Sequence, residues 1–122
     1  MKLIGIEEHF LTREVRDAWA ALETEEDPTI GMHQGQVGKR LEDLGEKRLR
    51  LMDETGLDVQ VLSLTTPGVQ DLDSAASVAL AQRTNDLVAA AVALHPERFQ
   101  GNFAMRRIYV RARNPAWLQH VG

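Results

Sequence analysis

Three residues able to do chemistry, Glu7, Glu8 and His9, follow one another near the start of the 122-residue chain. They close an apolar stretch whose Leu and Ile content predicts a short buried strand over Lys2–Phe10. Side chains alternate between the two faces of a strand, so Glu7 and His9 should share one face and Glu8 the other. A carboxylate and an imidazole together supply half of a site for Zn²⁺, Mn²⁺ or Fe²⁺. On this spacing alone, a solvated strand end is the commoner interpretation.

The elements that must position this pair alternate between strand and helix. The pattern predicts strands over Lys2–Phe10, Leu57–Leu64 and Phe99–Ala104, and helices over Arg13–Leu22, Leu41–Thr55 and Ala75–Leu94. Thr12 is the predicted cap of the first helix, Asp73 or Ser74 that of the last, and Gly56 ends the middle one. A long loop is predicted over Glu23–Gly38. This order indicates an α/β fold with a parallel sheet, whose strands carry functional groups at their carboxyl ends.

The composition excludes several classes of function. The net charge of −4 gives no support for nucleic-acid binding, and the absence of cysteine excludes disulfides and cysteine-rich zinc sites. The longest apolar run, Leu87–Leu94, is too short to span a membrane, and Met1–Phe10 does not have the pattern of a signal peptide. We therefore expect a soluble, cytoplasmic protein that does not engage a membrane.

Four segments of the chain carry a more specific signal together than any one of them does alone. They are IEEHF in the first strand, LEDLGEKRLRLMDETGLDVQVLSLTTPGVQ, AQRTND in the last helix, and HPERF before the third strand. At this spacing they resemble the amidohydrolase superfamily. More narrowly, they resemble its branch of aminocarboxymuconate-semialdehyde decarboxylase and the hydroxybenzoate (γ-resorcylate, 5-carboxyvanillate) decarboxylases. The resemblance covers about Leu3 to Ala104.

The resemblance implies a metal site and a substrate pocket. Glu7 and His9 would ligate one divalent ion, Zn²⁺ or Mn²⁺, and the substrate would be a small aromatic carboxylic acid that is decarboxylated without a redox cofactor. The implied pocket residues are Phe10, His33, Thr65, Thr66 and Pro67. For His33, a surface imidazole in a Gly-rich loop is the simpler alternative.

The family fold is an eight-stranded (β/α)₈ barrel of the TIM type, which needs roughly 200 residues or more. We therefore expect residues 1–104 to form only its three N-terminal β-α units, a truncated barrel. The family's second metal-binding His and its Asp ligand, which belong to later strands, have no counterpart here. Residues 105–122 carry four arginines and no acid, whereas residues 1–104 hold 10 basic and 18 acidic residues. A frameshift near Gly101–Met105 is the expected origin of this aberrant, disordered tail.

Two other functions stay open at this level. The chain could derive from a metal-dependent hydrolase of the same superfamily, or be a catalytically inactive fragment or small α/β binding module. Three strands from an open barrel also leave two unpaired edges, which favours association into a homo-oligomer.

Overall fold

The computed structural model describes residues 1–22 and 30–101, which form a three-stranded parallel sheet with helices. The elements in chain order are β1 (Ile4–Phe10), α1 (Arg13–Ala20), a 3₁₀ turn (Ile30–His33), α2 (Gly35–Glu42), α3 (Glu46–Thr55), β2 (Val59–Leu64), α4 (Ser74–Leu94) and β3 (Phe99–Gly101). The strands lie in the order β1-β2-β3, and both pairings are parallel. This confirms the predicted α/β class and the parallel sheet.

Local capping chemistry sets several helix ends where the sequence predicts them. The Thr12 hydroxyl accepts a hydrogen bond from the backbone N–H of Val15 at 3.2 Å and begins α1. Asp73, rather than Ser74, caps α4, because its carboxylate accepts from the backbone N–H groups of Ala75 and Ala76, both at 3.1 Å. Gly56 ends α3 in the left-handed conformation, with φ of 74°.

The region before β2 differs from the prediction. Helix α2 begins at Gly35, inside the predicted loop, and the predicted single helix Leu41–Thr55 is divided into α2 and α3. Asp43 has an extended backbone, and its carboxylate accepts a hydrogen bond from the N–H of Gly45 at 2.9 Å. The apolar stripe continues across this break, so periodicity alone joined two helices that a local side-chain bond separates.

Two apolar clusters hold these elements together. The first joins α1, the turn after β2 and the first half of α4, and includes Leu11, Val15, Trp19, Val69, Leu72, Leu80 and Ala81. The second packs α3 and α4 on the sheet and includes Phe10, Met52, Leu62, Val88, Ala91 and Phe99. Trp19 is 3% exposed, which confirms its prediction as a core residue. We call the side of the sheet that carries Leu62 the helix-covered face.

Strand β1 contains an irregularity just before the candidate metal ligands. Ile4 pairs with Val59 and Gly5 with Gln60, but Glu8 pairs with Leu62, so β1 holds one extra residue between Gly5 and Glu8. Paired residues on neighbouring strands share a face. Glu8 therefore lies on the helix-covered face, whereas His9 pairs with Ser63 on the opposite side. That side, which carries Ile4, His9 and Ser63, is called the open face here; Ile4 is 52% exposed on it.

Part of the prediction falls outside the described residues. These include the end of the predicted third strand, residues 102–104, and the whole predicted tail, residues 105–122. In the parts of the chain that the structure describes, none of the helices combines the length and the apolar character that a membrane span requires.

Candidate functional site

Glu7 and His9 both have exposed side chains at the carboxyl end of β1. With Glu8 they line a groove of about 660 Å³ along the outer edge of this strand, whose other wall is formed by α2 and α3. Glu7 belongs to the irregular stretch of β1, so strand pairing does not set the face of its side chain. The two exposed groups leave room at the strand end for a ligand.

The donor chemistry of this pair fits a divalent cation in part. A carboxylate oxygen and an imidazole nitrogen are suitable ligands for Mn²⁺ or Zn²⁺. Residues 1–22 and 30–101 contain no group of three or more His, Cys, Asp or Glu side chains placed to hold a metal ion. Catalytic zinc sites normally use three protein ligands. Glu7 and His9 therefore fit as two ligands of a larger set.

Glu8 is held on the helix-covered face, away from the imidazole of His9. Its carboxylate is half-buried and accepts a hydrogen bond from the amide nitrogen of Gln60 at 3.3 Å. The amide oxygen of Gln60 in turn accepts from Nη1 of Arg48 at 3.1 Å. Glu8 is thus the end of a buried polar network.

Arg48 is the centre of that network, and it was not singled out from the sequence. Its side chain extends from α3 and is 9% exposed. Burial lowers its pKa, while the carboxylates of Asp43 and Glu8 act in the opposite direction. The sequence does contain a pattern that predicts its burial. Arg48 lies four residues from both Leu44 and Met52, at an inward position of the helical repeat.

The predicted pocket residues do not form one wall. Phe10 is 1% exposed and packs in the second apolar cluster, on the helix-covered face opposite Leu64. It is not among the residues that line the groove beside β1. Pro67 is also buried, whereas Thr66 is exposed. The side chain of Phe10 is therefore committed to packing, and its expected contact with substrate is not visible in this arrangement.

His33 and Thr65 come together above the end of β2. Nε2 of His33 lies 2.9 Å from the hydroxyl of Thr65, which is 2% exposed. The ring of His33 also lies 5.6 Å from that of Trp19, at an angle of 38°. We call Trp19, His33 and Thr65 the rim cluster. His33 is half-buried, with its ring held between Trp19 and Thr65.

Backbone contacts attach the rim cluster to both strands and to the turn after β2. The N–H of Thr65 donates to the carbonyl of Phe10 at 2.9 Å, across the ends of β1 and β2. The indole N–H of Trp19 donates to the carbonyl of Gly68 at 2.7 Å. Nη2 of Arg16 donates to the carbonyl of His33 at 3.3 Å. The rim cluster thus holds the 3₁₀ turn against the carboxyl ends of the strands.

No protein-family model matches the chain. A γ-resorcylate decarboxylase from a Polaromonas species is 38% identical over 103 residues, which are 84% of this chain and 30% of the relative. The corresponding enzyme from Rhodococcus jostii is 33% identical over the same shares. The chain therefore spans about 30% of the length of these curated relatives.

Solved structures give the same relationship. A manganese-bound 5-carboxyvanillate decarboxylase from Novosphingobium aromaticivorans has a TM-score of 0.78 and 34% identity over 86% of this chain and 34% of its own. The homologues of this chain are γ-resorcylate and 5-carboxyvanillate decarboxylases of the amidohydrolase superfamily. The resemblance drawn from the four sequence segments is thereby confirmed.

These decarboxylases also bear on the metal and the ligand class. The dihydroxybenzoic acid decarboxylase from a Polaromonas species, with a TM-score of 0.64 and 37% identity over 86% of this chain and 30% of its own, contains manganese and 2-nitroresorcinol. The 5-carboxyvanillate decarboxylase contains manganese and 4-hydroxy-3-methoxy-5-nitrobenzoic acid. A divalent metal and a small substituted aromatic ligand are therefore features of the homologues, whereas zinc is not seen in these two.

Proposed function

We propose that this chain provides part of a metal-dependent carboxy-lyase site, with Glu7 and His9 as two ligands of one divalent ion, Mn²⁺ or Zn²⁺. The three-stranded sheet would be the N-terminal part of a (β/α)₈ barrel. The observation that carries the proposal is the exposed carboxylate and imidazole at the end of β1, in a chain whose homologues are manganese-bound decarboxylases. The carboxyl ends of barrel strands are where such enzymes place their chemistry.

A bound divalent ion would supply Lewis-acid activation and a template for the carboxylate and adjacent hydroxyl of a small aromatic acid. The residues of this chain have simpler tasks. Glu7 would contribute an anionic oxygen, and His9 would contribute a nitrogen in its neutral form. The remaining ligands would come from outside the described residues, because those residues form no group of three His, Cys, Asp or Glu side chains placed to hold a metal ion.

The known chemistry of the homologues favours decarboxylation over the hydrolase alternative. The expected substrate is a hydroxylated benzoic acid, and loss of CO₂ from it needs no redox partner. His33, Thr65, Thr66 and Pro67 remain the proposed substrate contacts from the resemblance. Self-association through the free edges of β1 and β3, and a cytoplasmic location, remain predictions of the sequence.

Calorimetric titration of the full chain with Mn²⁺, and separately with Zn²⁺, tests the ligand assignment. We expect one ion per chain, and a loss of at least about tenfold in affinity in Glu7→Gln and in His9→Ala. Glu97→Gln and His95→Ala are matched controls, because both residues lie at the far end of α4, outside the candidate site. Equal losses in the controls would mean that binding is not specific to the end of β1.

Release of CO₂ from 2,6-dihydroxybenzoate and 5-carboxyvanillate tests the reaction. CO₂ release that depends on added Mn²⁺ and disappears in His9→Ala would establish a carboxy-lyase. A folded chain by circular dichroism that neither binds metal nor releases CO₂ would instead support the inactive fragment or small binding module.

A further inference from the structure

One buried guanidinium connects the end of β1 to three other segments. All three side-chain nitrogens of Arg48 donate hydrogen bonds to oxygens of the protein. The acceptors are the carbonyls of His9, Arg40, Leu41 and Asp43 and the side-chain oxygen of Gln60, at distances from 2.6 to 3.3 Å. Arg40 and Leu41 lie in the last turn of α2, where carbonyls lack partners within the helix. Arg48 therefore closes α2, binds the break before α3 and reaches both strands.

Two of these bonds restrain the end of β1 at residues 8 and 9. Nη2 of Arg48 donates directly to the carbonyl of His9 at 3.1 Å. Nη1 reaches Gln60, and the amide of Gln60 holds the carboxylate of Glu8. The backbone at residues 8 and 9 is thus restrained on the helix-covered face, while the imidazole of His9 lies on the open face.

The same bonds argue against a role for Arg48 in binding substrate. The side chain is 9% exposed, and each of its nitrogens already has an acceptor within the protein. A substrate carboxylate would have to replace these buried hydrogen bonds of the guanidinium, which is costly. Arg48 thus acts on the site through the backbone.

We propose that Arg48 is a positioning residue, which fixes the backbone of His9 so that the imidazole is presented for divalent-cation binding. This inference rests on the proposed function of Glu7 and His9 as ligands. A planar guanidinium can bridge several acceptors in fixed geometry, whereas a lysine ammonium is a single compact charge. Partners that orient metal ligands typically change metal affinity by roughly 10- to 100-fold when removed.

The test compares Arg48→Met, Arg48→Lys and Gln60→Met with Arg83→Met in the full chain. Arg83 is a matched control, because its ion pair with Glu14 joins two half-exposed side chains on the surface. The first readout is Mn²⁺ affinity by titration calorimetry. We expect a loss of roughly 10- to 100-fold in Arg48→Met, a smaller loss in Arg48→Lys and Gln60→Met, and none in Arg83→Met.

The second readout needs no metal. The N–H of Leu11 donates to the carbonyl of Leu41, and the N–H of Thr65 donates to the carbonyl of Phe10. We expect Arg48→Met to speed hydrogen exchange of these two amides by about tenfold or more, and to leave the central amides of α4 unchanged. A general loss of stability would instead accelerate exchange in α4 as well.

The two readouts separate this inference from the proposed function. If the native chain binds Mn²⁺ and Arg48→Met binds it equally well, the positioning role is overturned and the metal site stands. If the native chain does not bind Mn²⁺, the ligand proposal fails, and exchange at Leu11 and Thr65 alone decides whether Arg48 fixes the strand end. Should Arg48→Met not fold, Arg48→Lys and Gln60→Met provide both comparisons.

Discussion

The hydroxyl of Thr65 lies 2.9 Å from Nε2 of His33, so a residue at the end of β2 holds a residue 32 positions earlier in the chain. Thr65 is 2% exposed, and its backbone N–H also bonds to the end of β1. One threonine thus links two strand ends to the 3₁₀ turn. This link determines where His33 stands at the rim.

Thr65→Val removes the hydroxyl and nearly preserves the shape of the side chain. We expect a loss of about 1 kcal/mol in unfolding free energy, because a buried hydrogen bond disappears. Urea denaturation measures this change, and the ¹⁵N shifts of the His33 ring should change with it. Thr66→Val is the matched control, since Thr66 is exposed. Equal effects of the two substitutions would contradict a specific role for the contact with His33.

Trp19→Phe tests the attachment of the turn after β2. The substitution removes the N–H that donates to the carbonyl of Gly68 at 2.7 Å, and it reduces the volume of a residue that is 3% exposed. We expect a destabilisation of about 2–3 kcal/mol from the unpaired carbonyl and the smaller ring together. An unfolding free energy within about 0.5 kcal/mol of the native value would show that this bond is dispensable.

Gly5→Ala tests the irregular stretch of β1. A Cβ at this position would lie 2.8 Å from Cγ and Cδ of Glu8, so the Glu8 side chain must leave its place beside Gln60. We expect a loss of about 1 kcal/mol in urea denaturation. Gly31→Ala is the control, because a Cβ there meets no atom within 4 Å.

Gly5→Ala should lower the unfolding free energy much less when the Glu8 side chain is already absent. In a Glu8→Ala background, Gly5→Ala should be close to neutral, because the atoms that it displaces are gone. If Gly5→Ala lowers the unfolding free energy equally in both backgrounds, the strain lies in the backbone of β1 and not in the contact with Glu8.

Arg48→Met should be the most destabilising of these substitutions. It removes the guanidinium donor from the carbonyls of His9, Arg40, Leu41 and Asp43, of which Arg40 and Leu41 each keep a backbone N–H donor, and the methionine fills part of the space. We expect a loss of about 3 kcal/mol, against less than 1 kcal/mol for Arg83→Met at the surface. Denaturation monitored by circular dichroism measures both values. Similarly small losses in both variants would show that the hydrogen bonds of Arg48 contribute little to stability.

The helix caps and the strands were predictable because their causes are local. Thr12 and Asp73 accept from N–H groups two or three residues ahead, and Gly56 takes a conformation that suits glycine. The β-branched and aliphatic runs similarly predict the strands β1 and β2, but the expected burial of β1 is wrong: Ile4 is 52% and Ile6 71% exposed. The order of these elements was then enough to predict a parallel α/β sheet. The chemical types of Glu7 and His9 also come directly from the sequence.

The break between α2 and α3 and the packing partners of Phe10 were not predictable in this way. Periodicity does not register the bond from Gly45 to Asp43 that separates α2 from α3. Phe10 stands next to His9 in the sequence, yet its side chain packs against α3 and α4, because neighbouring residues of a strand point to opposite faces. The alternation of faces is evident from the sequence, whereas only the tertiary structure shows that helices cover the face of Phe10.

The sequence by itself determined the residue types at the end of β1, the alternation of strands and helices, and the relationship to decarboxylases. The tertiary structure decided which groups hold that chemistry in place. In the sequence, Arg48 is one of several basic residues of a charged helix, and His33 is part of a Gly-rich loop. Each acquires its role from hydrogen-bond partners distant in the chain: the carbonyl of His9, 39 residues from Arg48, and the hydroxyl of Thr65, 32 residues from His33. Such contacts depend on how the helices pack on the sheet, and no local pattern encodes that packing.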